Sequence, residues 1–201
     1  MSTLHAKTRH SDPSPAAAPG AAAPAAGPTQ RYLADRALAV LRIAFGLTFL
    51  WAFADKLLAL GFSTGRDDAG VVDRFGDGAW IHGGSPTAGF LTFGADGPFE
   101  GIYHDIAGAA WADTLFMLGL LGIGAALTTG AAMRLACAAG ALLYVLMWSV
   151  VLPPENNPVL DEHLLGALTL VVLALLAAGD TWGIGARAAR LRLVQRYPML
   201  R

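Results

Sequence analysis

Charged residues are scarce in this chain. Asp, Glu, Lys and Arg make up 14% of its 201 residues and hydrophobic residues 55%, whereas ordinary soluble domains carry about 25% charged residues. There is a single cysteine, Cys137, which excludes a disulfide within the chain and a CxxC redox or zinc site. The length fits one domain, or one domain with a tail. The composition therefore indicates an integral membrane protein.

The first 30 residues contain too few large apolar residues to form a core. Every residue from Pro13 to Pro28 is Ala, Pro, Ser or Gly, and such a segment does not bury enough surface to offset the entropy of ordering it. It also lacks the continuous apolar stretch of a signal peptide. We predict that residues 1–30 form a disordered cytoplasmic tail that is not cleaved.

Apolar runs in the rest of the chain predict four membrane-spanning helices, since a helix rises about 1.5 Å per residue and the bilayer core is about 30 Å thick. The apolar block at 115–152 is too long for one crossing, and polar residues, a glycine and Arg134 interrupt it at 127–134. Arg42, near the start of the first run, is expected to snorkel to the interface. The predicted spans are residues 37–60, 113–129, 133–152 and 160–179.

Lys and Arg are distributed unevenly around these spans. Ten of the 14 precede the first span, follow the fourth or lie in the turn between the second and third, whereas only Arg66 and Arg74 lie in the long first loop. The positive-inside rule then places both termini in the cytoplasm and the loops at 61–112 and 153–160 outside. The predicted fold is an all-α membrane protein, a four-transmembrane-helix bundle with a long structured outer loop between helices 1 and 2.

The predicted membrane domain covers residues 31–185. Small residues four apart within it, such as Gly122 and Ala126, favour close helix packing in lipid. Residues 186–201 form a basic cytoplasmic tail in which arginines alternate with apolar residues, as in segments that lie on anionic lipid. The lipid bilayer is therefore the expected partner, a homo-oligomer is left open, and nothing in the sequence indicates nucleic acid.

Ionisable residues cluster at the predicted outer interface. Asp55 and Lys56 are adjacent near the end of the first span, where charges are costly and mark a functional site or a structural pairing. Asp161, Glu162 and His163 begin the fourth span. The acids suit a helix N-terminus, whereas the imidazole titrates near neutral pH and suits proton transfer. We predict that Asp55, Lys56 and His163 converge in one outer pocket. The alternative is that Lys56 snorkels outward while Asp55 caps or pairs with a loop group.

The first outer loop is unusually long for a loop without function. Its segment SPTAGFL, from Ser85, carries a helix-start signal and predicts a short re-entrant or interfacial helix. His82 and His104 do not show metal-ligand spacing with His163, so no metal is expected, and no bound cofactor is evident. The aromatic residues of the loop are expected either to form an interfacial belt or to roof a pocket. They are Trp80, Phe90, Phe93, Phe99, Tyr103 and Trp111.

Four segments together carry a family resemblance: LRIAFGLTFLWAFADKL, GGSPTAGFL, GPFEGIYH and NNPVLDEHLLGALTLVVLALL. In this order they resemble the DoxX family of small four-helix membrane proteins, over residues 36–185. The long outer loop is similar to that of the DoxD-type small subunit of thiosulfate:quinone oxidoreductase. The resemblance implies a multi-pass protein of the bacterial plasma (inner) membrane. It also implies electron transfer from thiosulfate, or another sulfur compound, to membrane quinone, together with a second oxidoreductase subunit.

The resemblance implies roles for the outer charges as well. Asp55 and Lys56 match the Asp-Lys pair that ends the first helix in the family. Asp55 and His163 are the predicted catalytic residues, which exchange protons with a quinone headgroup. Lys56, Arg66 and Arg74 are predicted to bind the anionic donor. Quinone is then a co-substrate. Since the sequence shows no flavin, haem or iron–sulfur ligation pattern, the implied electron transfer would need direct thiosulfate–quinone chemistry or a cofactor held by a partner.

Two other functions fit the same sequence. One is a non-catalytic membrane scaffold that holds a redox or detoxification enzyme at the membrane. The other is a small transporter or lipid-binding protein, for which matched inverted halves with broken helices would be the sign, and the sequence shows neither. An enzyme depends on the outer polar pocket, whereas a scaffold depends on its tails.

Overall fold

The computed structural model describes residues 27–67, 69–155 and 157–197. Regular structure in these ranges is helical, with no β-strand, and a 3-10 turn lies at Trp80–His82. The α-helices of the described ranges are α1 (Pro28–Leu58), α2 (Ala88–Phe93), α3 (Glu100–Ile106), α4 (Ala110–Thr129), α5 (Met133–Val150), α6 (Glu162–Leu175), α7 (Gly185–Ala188) and α8 (Arg192–Arg196).

Three of these helices, α1, α4 and α5, are long and apolar enough to cross a membrane, by length and composition. Helix α6 is also apolar but has 14 residues, fewer than the roughly 20 of a straight crossing. The prediction of an all-helical protein is confirmed for the described residues. So is the presence of membrane-length apolar helices at the first three predicted spans.

The helix bounds differ from the predicted spans mainly near the N-terminus. Helix α1 begins at Pro28 rather than near Ala37, because its first turns are polar and an apolar run does not mark them. Proline suits the first position of a helix, where its missing N–H has no partner to lose. Residues 28–30 of the predicted tail therefore belong to α1, and residues 1–26 lie outside the described residues. The predicted basic tail contains the short helix α8 and most of α7.

The long helices pack in chain order: α1 against α4, α4 against α5, and α5 against α6. Arg42 donates a hydrogen bond to the carbonyl of Leu127 near the end of α4, whereas Lys56, farther along α1, lies beside Phe116 near the start of α4, so these two helices are antiparallel. We call the end of the helices with Thr129 and Met133 the basic end, and the opposite end, with Leu58, the loop end. The buried core shared by the four helices consists of Phe49, Met117, Leu120, Ile123, Leu127, Met133, Ala136, Cys137, Leu170 and Leu173, with Ala178 beyond α6.

The expectation that Arg42 snorkels to the interface is wrong. Arg42 is 0% exposed. One terminal nitrogen donates to the carbonyls of Leu127 and Thr128 at 2.8 and 3.4 Å, and the other donates to those of Thr181 and Trp182 at 3.3 and 3.1 Å. The last carbonyls of a helix have no partner within it and carry its negative partial charge. Arg42 therefore fixes the end of α4 and the segment after α6 to α1.

Glycines bring α1 and α4 into close contact. A Cβ built on Gly124 of α4 would lie 2.8 Å from Cγ and 2.9 Å from the backbone nitrogen of Leu50 in α1, well inside van der Waals distance. A Cβ on Gly46 of α1 would likewise collide with Thr128. Small residues thus allow this helix crossing, as expected in lipid. Gly122, which we expected to take part, has open space around its Cβ position.

Replacing Gly124 by alanine is expected to destabilise the protein by about 1–3 kcal/mol, because the added methyl group forces α1 and α4 apart. Gly122→Ala, in the same helix, is the matched control. Nothing lies within 4 Å of its added Cβ, and alanine has a higher helix propensity than glycine. The midpoint of thermal unfolding in detergent should fall for Gly124→Ala and stay or rise for Gly122→Ala. Equal midpoints would contradict the close α1–α4 contact.

Candidate functional site

Asp55 lies at the loop end of α1 and holds the turn that follows the helix. The residue is 1% exposed. Its Oδ2 accepts hydrogen bonds from the N–H of Ser63 at 2.8 Å and from the Ser63 hydroxyl at 2.7 Å, and its Oδ1 accepts one from the N–H of Phe62 at 3.1 Å. A buried carboxylate is tolerated when hydrogen bonds compensate for its lost hydration. These contacts account for an acid at this depth.

Lys56 lies beside the same turn. Its Nζ donates to Ser63 Oγ at 3.0 Å and lies 5.9 Å from the centroid of the Phe116 ring in α4. The Ser63 hydroxyl therefore donates to Asp55 and accepts from Lys56. The adjacent acid and base of the sequence form one network through this serine.

The two arginines of the first loop bind backbone carbonyls to different extents. Arg66 donates from Nε and one terminal nitrogen to the carbonyl of Gly61, at 3.1 and 2.9 Å, and from the other terminal nitrogen to the carbonyl of Gly70 at 3.1 Å. Arg74 donates from Nε alone, to the carbonyl of Leu60 at 3.2 Å. Within the described part of the chain, Arg74 keeps its terminal nitrogens available for an anion, whereas Arg66 does not.

A third carboxylate of the loop end, Asp113, was not identified from the sequence. It is buried in the first turn of α4, and its Oδ1 accepts hydrogen bonds from the Thr87 hydroxyl at 2.6 Å and the Ser85 hydroxyl at 2.8 Å. The Ser85 oxygen in turn accepts from the N–H of Ala88, the first residue of α2, at 3.0 Å. The SPTAGFL segment does contain a short helix, α2, as predicted. An acid at the start of an apolar span is the sequence signal that could have found Asp113.

A closely paired acid and imidazole begin α6. Asp161 is the N-cap residue, with Oδ1 accepting from the N–H of Leu164 at 2.9 Å, and its Oδ2 lies 2.6 Å from Nδ1 of His163. The side chains are 8% and 14% exposed, respectively.

This pairing orients the ring of His163. A charged carboxylate is only an acceptor, so Nδ1 of the imidazole carries a proton toward Asp161. The other ring nitrogen, Nε2, is then the position at which His163 can exchange a proton with a ligand.

Aromatic rings surround the imidazole. The centroid of the His163 ring lies 6.5 Å from that of Phe90 in α2 and 6.2 Å from that of Tyr144 in α5. Tyr144 packs on Gly166 of α6, where an added Cβ would lie 2.9 Å from its ring, and its centroid is 5.4 Å from that of Phe49 in α1. Helices α2, α5 and α6 thus meet at the partly buried imidazole, and α1 contacts Tyr144 behind it. The residues that we call the imidazole cluster are Phe90, Tyr144, Asp161 and His163.

The charged residues predicted to share one pocket lie in two groups. Asp55 and Lys56 make their polar contacts with the turn at residues 62 and 63, whereas His163 makes its contact with Asp161. In the described ranges, no hydrogen bond or ion pair joins the two groups. Both lie at the loop end, and each is paired within itself.

Three side chains at the start of α6 also present metal-ligand atoms. One atom each from Asp161, Glu162 and His163 lies within 4.8 Å of the others, a grouping that the spacing of the histidines did not predict. The bonds to His163 and to the N–H of Leu164 already use both carboxylate oxygens of Asp161. A helix N-terminus also carries positive partial charge. Helix capping and orientation of the imidazole account for the arrangement.

Two aromatic residues of the short helix α2 differ in their surroundings. Phe90 contacts His163, as expected of a roof. Phe93, on the same short helix, is 88% exposed, as expected of a residue in an interfacial belt. A small apolar cluster that includes Leu91 and Val150 holds α2 on the end of α5. The loop is therefore a packed structure rather than a linker.

Comparison of the chain with protein-family models, curated proteins and solved structures gives no match. The structure itself defines a helical protein with three helices of membrane-spanning length and apolarity. Its loop end holds the Asp55–Ser63–Lys56 network and the imidazole cluster.

Asp55→Asn is expected to loosen the turn after α1. The amide keeps one acceptor oxygen but presents an NH₂ group to at least one of the N–H donors of Phe62 and Ser63. A buried donor without a partner costs about 1–3 kcal/mol. Amide hydrogen exchange at residues 60–65, followed by mass spectrometry, should therefore accelerate, while exchange at Ala88, held through Asp113, stays unchanged. Unaltered exchange at 60–65 would show that Asp55 does not anchor the loop.

Proposed function

We propose that this chain is the membrane subunit of a quinone-linked oxidoreductase that takes electrons from thiosulfate or another sulfur anion. In this proposal α1, α4, α5 and α6 form a four-transmembrane-helix bundle in a bacterial plasma membrane, and residues 160–179 complete the crossing of the short α6. The basic end, with Arg31, Arg36 and Arg134 at or near the helix termini, faces the cytoplasm under the positive-inside rule. The loop end then faces outward. The resemblance to the DoxX family supports the same assignment.

The imidazole cluster is the observation that carries the proposal. A quinone gains protons along with electrons, so its site needs a proton-exchanging group beside flat apolar surfaces. His163 supplies the proton-exchanging group, with Nδ1 held by Asp161 and Nε2 available. The rings of Phe90 and Tyr144 supply the flat apolar surfaces, because aromatic faces stack favourably on a planar ring. The three hydrogen bonds of Asp55 favour an anchoring role for it over the predicted proton exchange.

We place the anionic donor at the turn that follows α1. Lys56 and Arg74 both contact this turn, and each keeps N–H donors for a ligand. Two cationic groups with available donors suit a small divalent anion, since charge-assisted hydrogen bonds are the strong ones. Arg66 uses all three of its nitrogens on backbone carbonyls and therefore supports the turn.

The reaction balances in electrons and protons. Two thiosulfate anions each lose one electron and join through a new S–S bond, and the quinone gains these two electrons and two protons. His163 delivers the protons to the quinone oxygens in turn, and water at the loop end recharges it. If electrons do not pass directly from thiosulfate to quinone, they would pass through a second oxidoreductase subunit bound to this chain.

The test is thiosulfate-dependent reduction of a short-chain ubiquinone or menaquinone analogue by the affinity-purified protein in nanodiscs, with co-purified partners retained. We expect turnover that requires both thiosulfate and quinone. Arg74→Gln should raise the KM for thiosulfate more than the KM for quinone, whereas Arg31→Gln, at the opposite end of α1, should change neither. Turnover no greater than that of empty nanodiscs would overturn the proposal.

A non-catalytic scaffold is the second candidate, and one observation favours it. Asp55, Arg66 and Asp113 are all occupied in holding the first loop, as expected if the charges only shape an outer surface. Removing residues 1–26 and 187–201 separates the two functions. An oxidoreductase should keep its quinone turnover, whereas a scaffold should lose the partner that co-purifies with the full chain.

A further inference from the structure

The segment after α6 is fixed to the ends of the long helices. The N–H of Ile184 donates to the carbonyl of Thr129, the last residue of α4, at 2.9 Å. Arg42 of α1 donates to the carbonyls of Thr181 and Trp182. Farther along, Val194 in α8 is buried. We call residues 181–197 the C-terminal platform, because these contacts hold the segment at the basic end instead of letting it extend away.

The C-terminal platform is positively charged and contains no acidic residue. Its arginines are all exposed, and none of them makes an ion pair with another described residue. Guanidinium groups match the geometry of phosphate oxygens, and they are more weakly hydrated than ammonium groups. A surface of this kind favours an anionic phosphate partner. The four arginines are Arg187, Arg190, Arg192 and Arg196.

Large apolar side chains lie exposed among these arginines. Trp182 is 57% exposed, and Ile184, Leu191 and Tyr197 are exposed as well. The Trp182 ring lies 5.6 Å from the guanidinium carbon of Arg36 in α1, which sets its level at the end of the bundle. Trp and Tyr favour the headgroup level of a bilayer, and basic segments with exposed apolar residues lie on anionic lipid. A folded acidic protein or a nucleic acid would match the positive charge of the arginines. Neither has acyl chains in which these apolar side chains could be buried.

We propose that the C-terminal platform binds the anionic phospholipid headgroups of the leaflet at the basic end. The arginines bind lipid phosphates, and Trp182 and Leu191 insert at the boundary between headgroups and acyl chains. The proposal requires that the helices lie in a membrane. It is independent of the quinone chemistry at the loop end.

The test uses the full chain in vesicles that contain phosphatidylglycerol and phosphatidylcholine, with brominated acyl chains on one lipid or the other. Bromine quenches nearby indoles, and subtracting the signal of Trp182→Phe isolates Trp182. We expect brominated phosphatidylglycerol to quench Trp182 about two-fold more than brominated phosphatidylcholine at low ionic strength. The preference should disappear in about 0.5 M NaCl, where charges are screened within a few Å.

Charge variants separate electrostatic binding from simple proximity. Replacing the four arginines by glutamine should abolish the preference, and replacing them by lysine should retain most of it, because lysine keeps the charge. The unfolding midpoint in neutral lipid checks that both variants fold. Equal quenching by the two lipids in the wild type, or a preference that survives in the glutamine variant, would overturn the proposal. Salt-sensitive binding of an RNA homopolymer without any lipid preference would also overturn it.

Discussion

Quinone turnover is expected to fall by about 10²–10⁴-fold when His163 is replaced by alanine, the usual contribution of a general acid or base. Its imidazole is oriented by Asp161 at 2.6 Å, and in the proposal Nε2 exchanges protons with a quinone ring that lies beside Phe90 and Tyr144. The KM for quinone should change less than kcat, because both aromatic side chains remain. The measurement is the nanodisc assay at saturating thiosulfate over a range of quinone concentrations.

Two variants give this experiment its controls. His82→Ala removes an exposed imidazole of the same loop end, whose Nδ1 lies 3.1 Å from the carbonyl of Gly76, and should leave turnover unchanged. Asp161→Asn keeps an N-cap acceptor but removes the charge that orients His163, so its loss should be smaller than that of His163→Ala. An unchanged kcat in a folded His163→Ala protein would rule out the proton-exchange role.

Arg42→Met should lower the free energy of unfolding by about 3 kcal/mol, because it leaves buried carbonyls without a charged donor. Arg42 is fully buried, and its shortest bonds reach the carbonyls of Leu127 at 2.8 Å and Trp182 at 3.1 Å. Methionine fills similar apolar volume but donates no hydrogen bond. Unfolding in mixed detergent micelles, followed by circular dichroism, measures the difference.

Arg36→Met is the matched control, about 1.7 turns earlier in α1. This arginine is exposed and lies 4.0 Å over the ring of Tyr32, an interaction worth about 0.5–1 kcal/mol at exposed sites. Arg42→Lys should lie between the two methionine variants, because a single ammonium group reaches fewer carbonyls than a guanidinium fork. If Arg42→Met is no less stable than Arg36→Met, Arg42 does not hold the basic end together.

The long apolar runs in the sequence made the helices predictable. They did not show which helices contact each other or through which residues. The break in the long apolar block was expected around residues 127–134, and α4 ends at Thr129 and α5 begins at Met133. The start of α1 was missed because polar helical turns leave no apolar signal. The role of Arg42 was predicted wrongly because the residues whose carbonyls it binds are far away in the chain. Leu127 is 85 residues away and Trp182 is 140 residues away. No local pattern shows where such segments meet.

The same distinction between local sequence pattern and long-range contact applies to the candidate site. The position of Asp55 and Lys56 near the end of α1 and the grouping of Asp161 with His163 followed from sequence, because helix periodicity and short separations determine them. Asp113 was missed because its partner Thr87 is 26 residues away, across a loop. The aromatic surroundings of His163 depend on how α2, α5 and α6 pack, and residue spacing along one chain does not determine that.

The most direct test of the central proposal is photoaffinity labelling with an azidoquinone, followed by peptide mapping. The experiment locates the quinone whatever the electron donor is. We expect label on peptides that contain Phe90, Tyr144 or His163, and we expect excess unlabelled quinone to prevent it. Labelling confined to other helices, or labelling at these residues that unlabelled quinone does not reduce, would contradict a quinone site at the imidazole cluster.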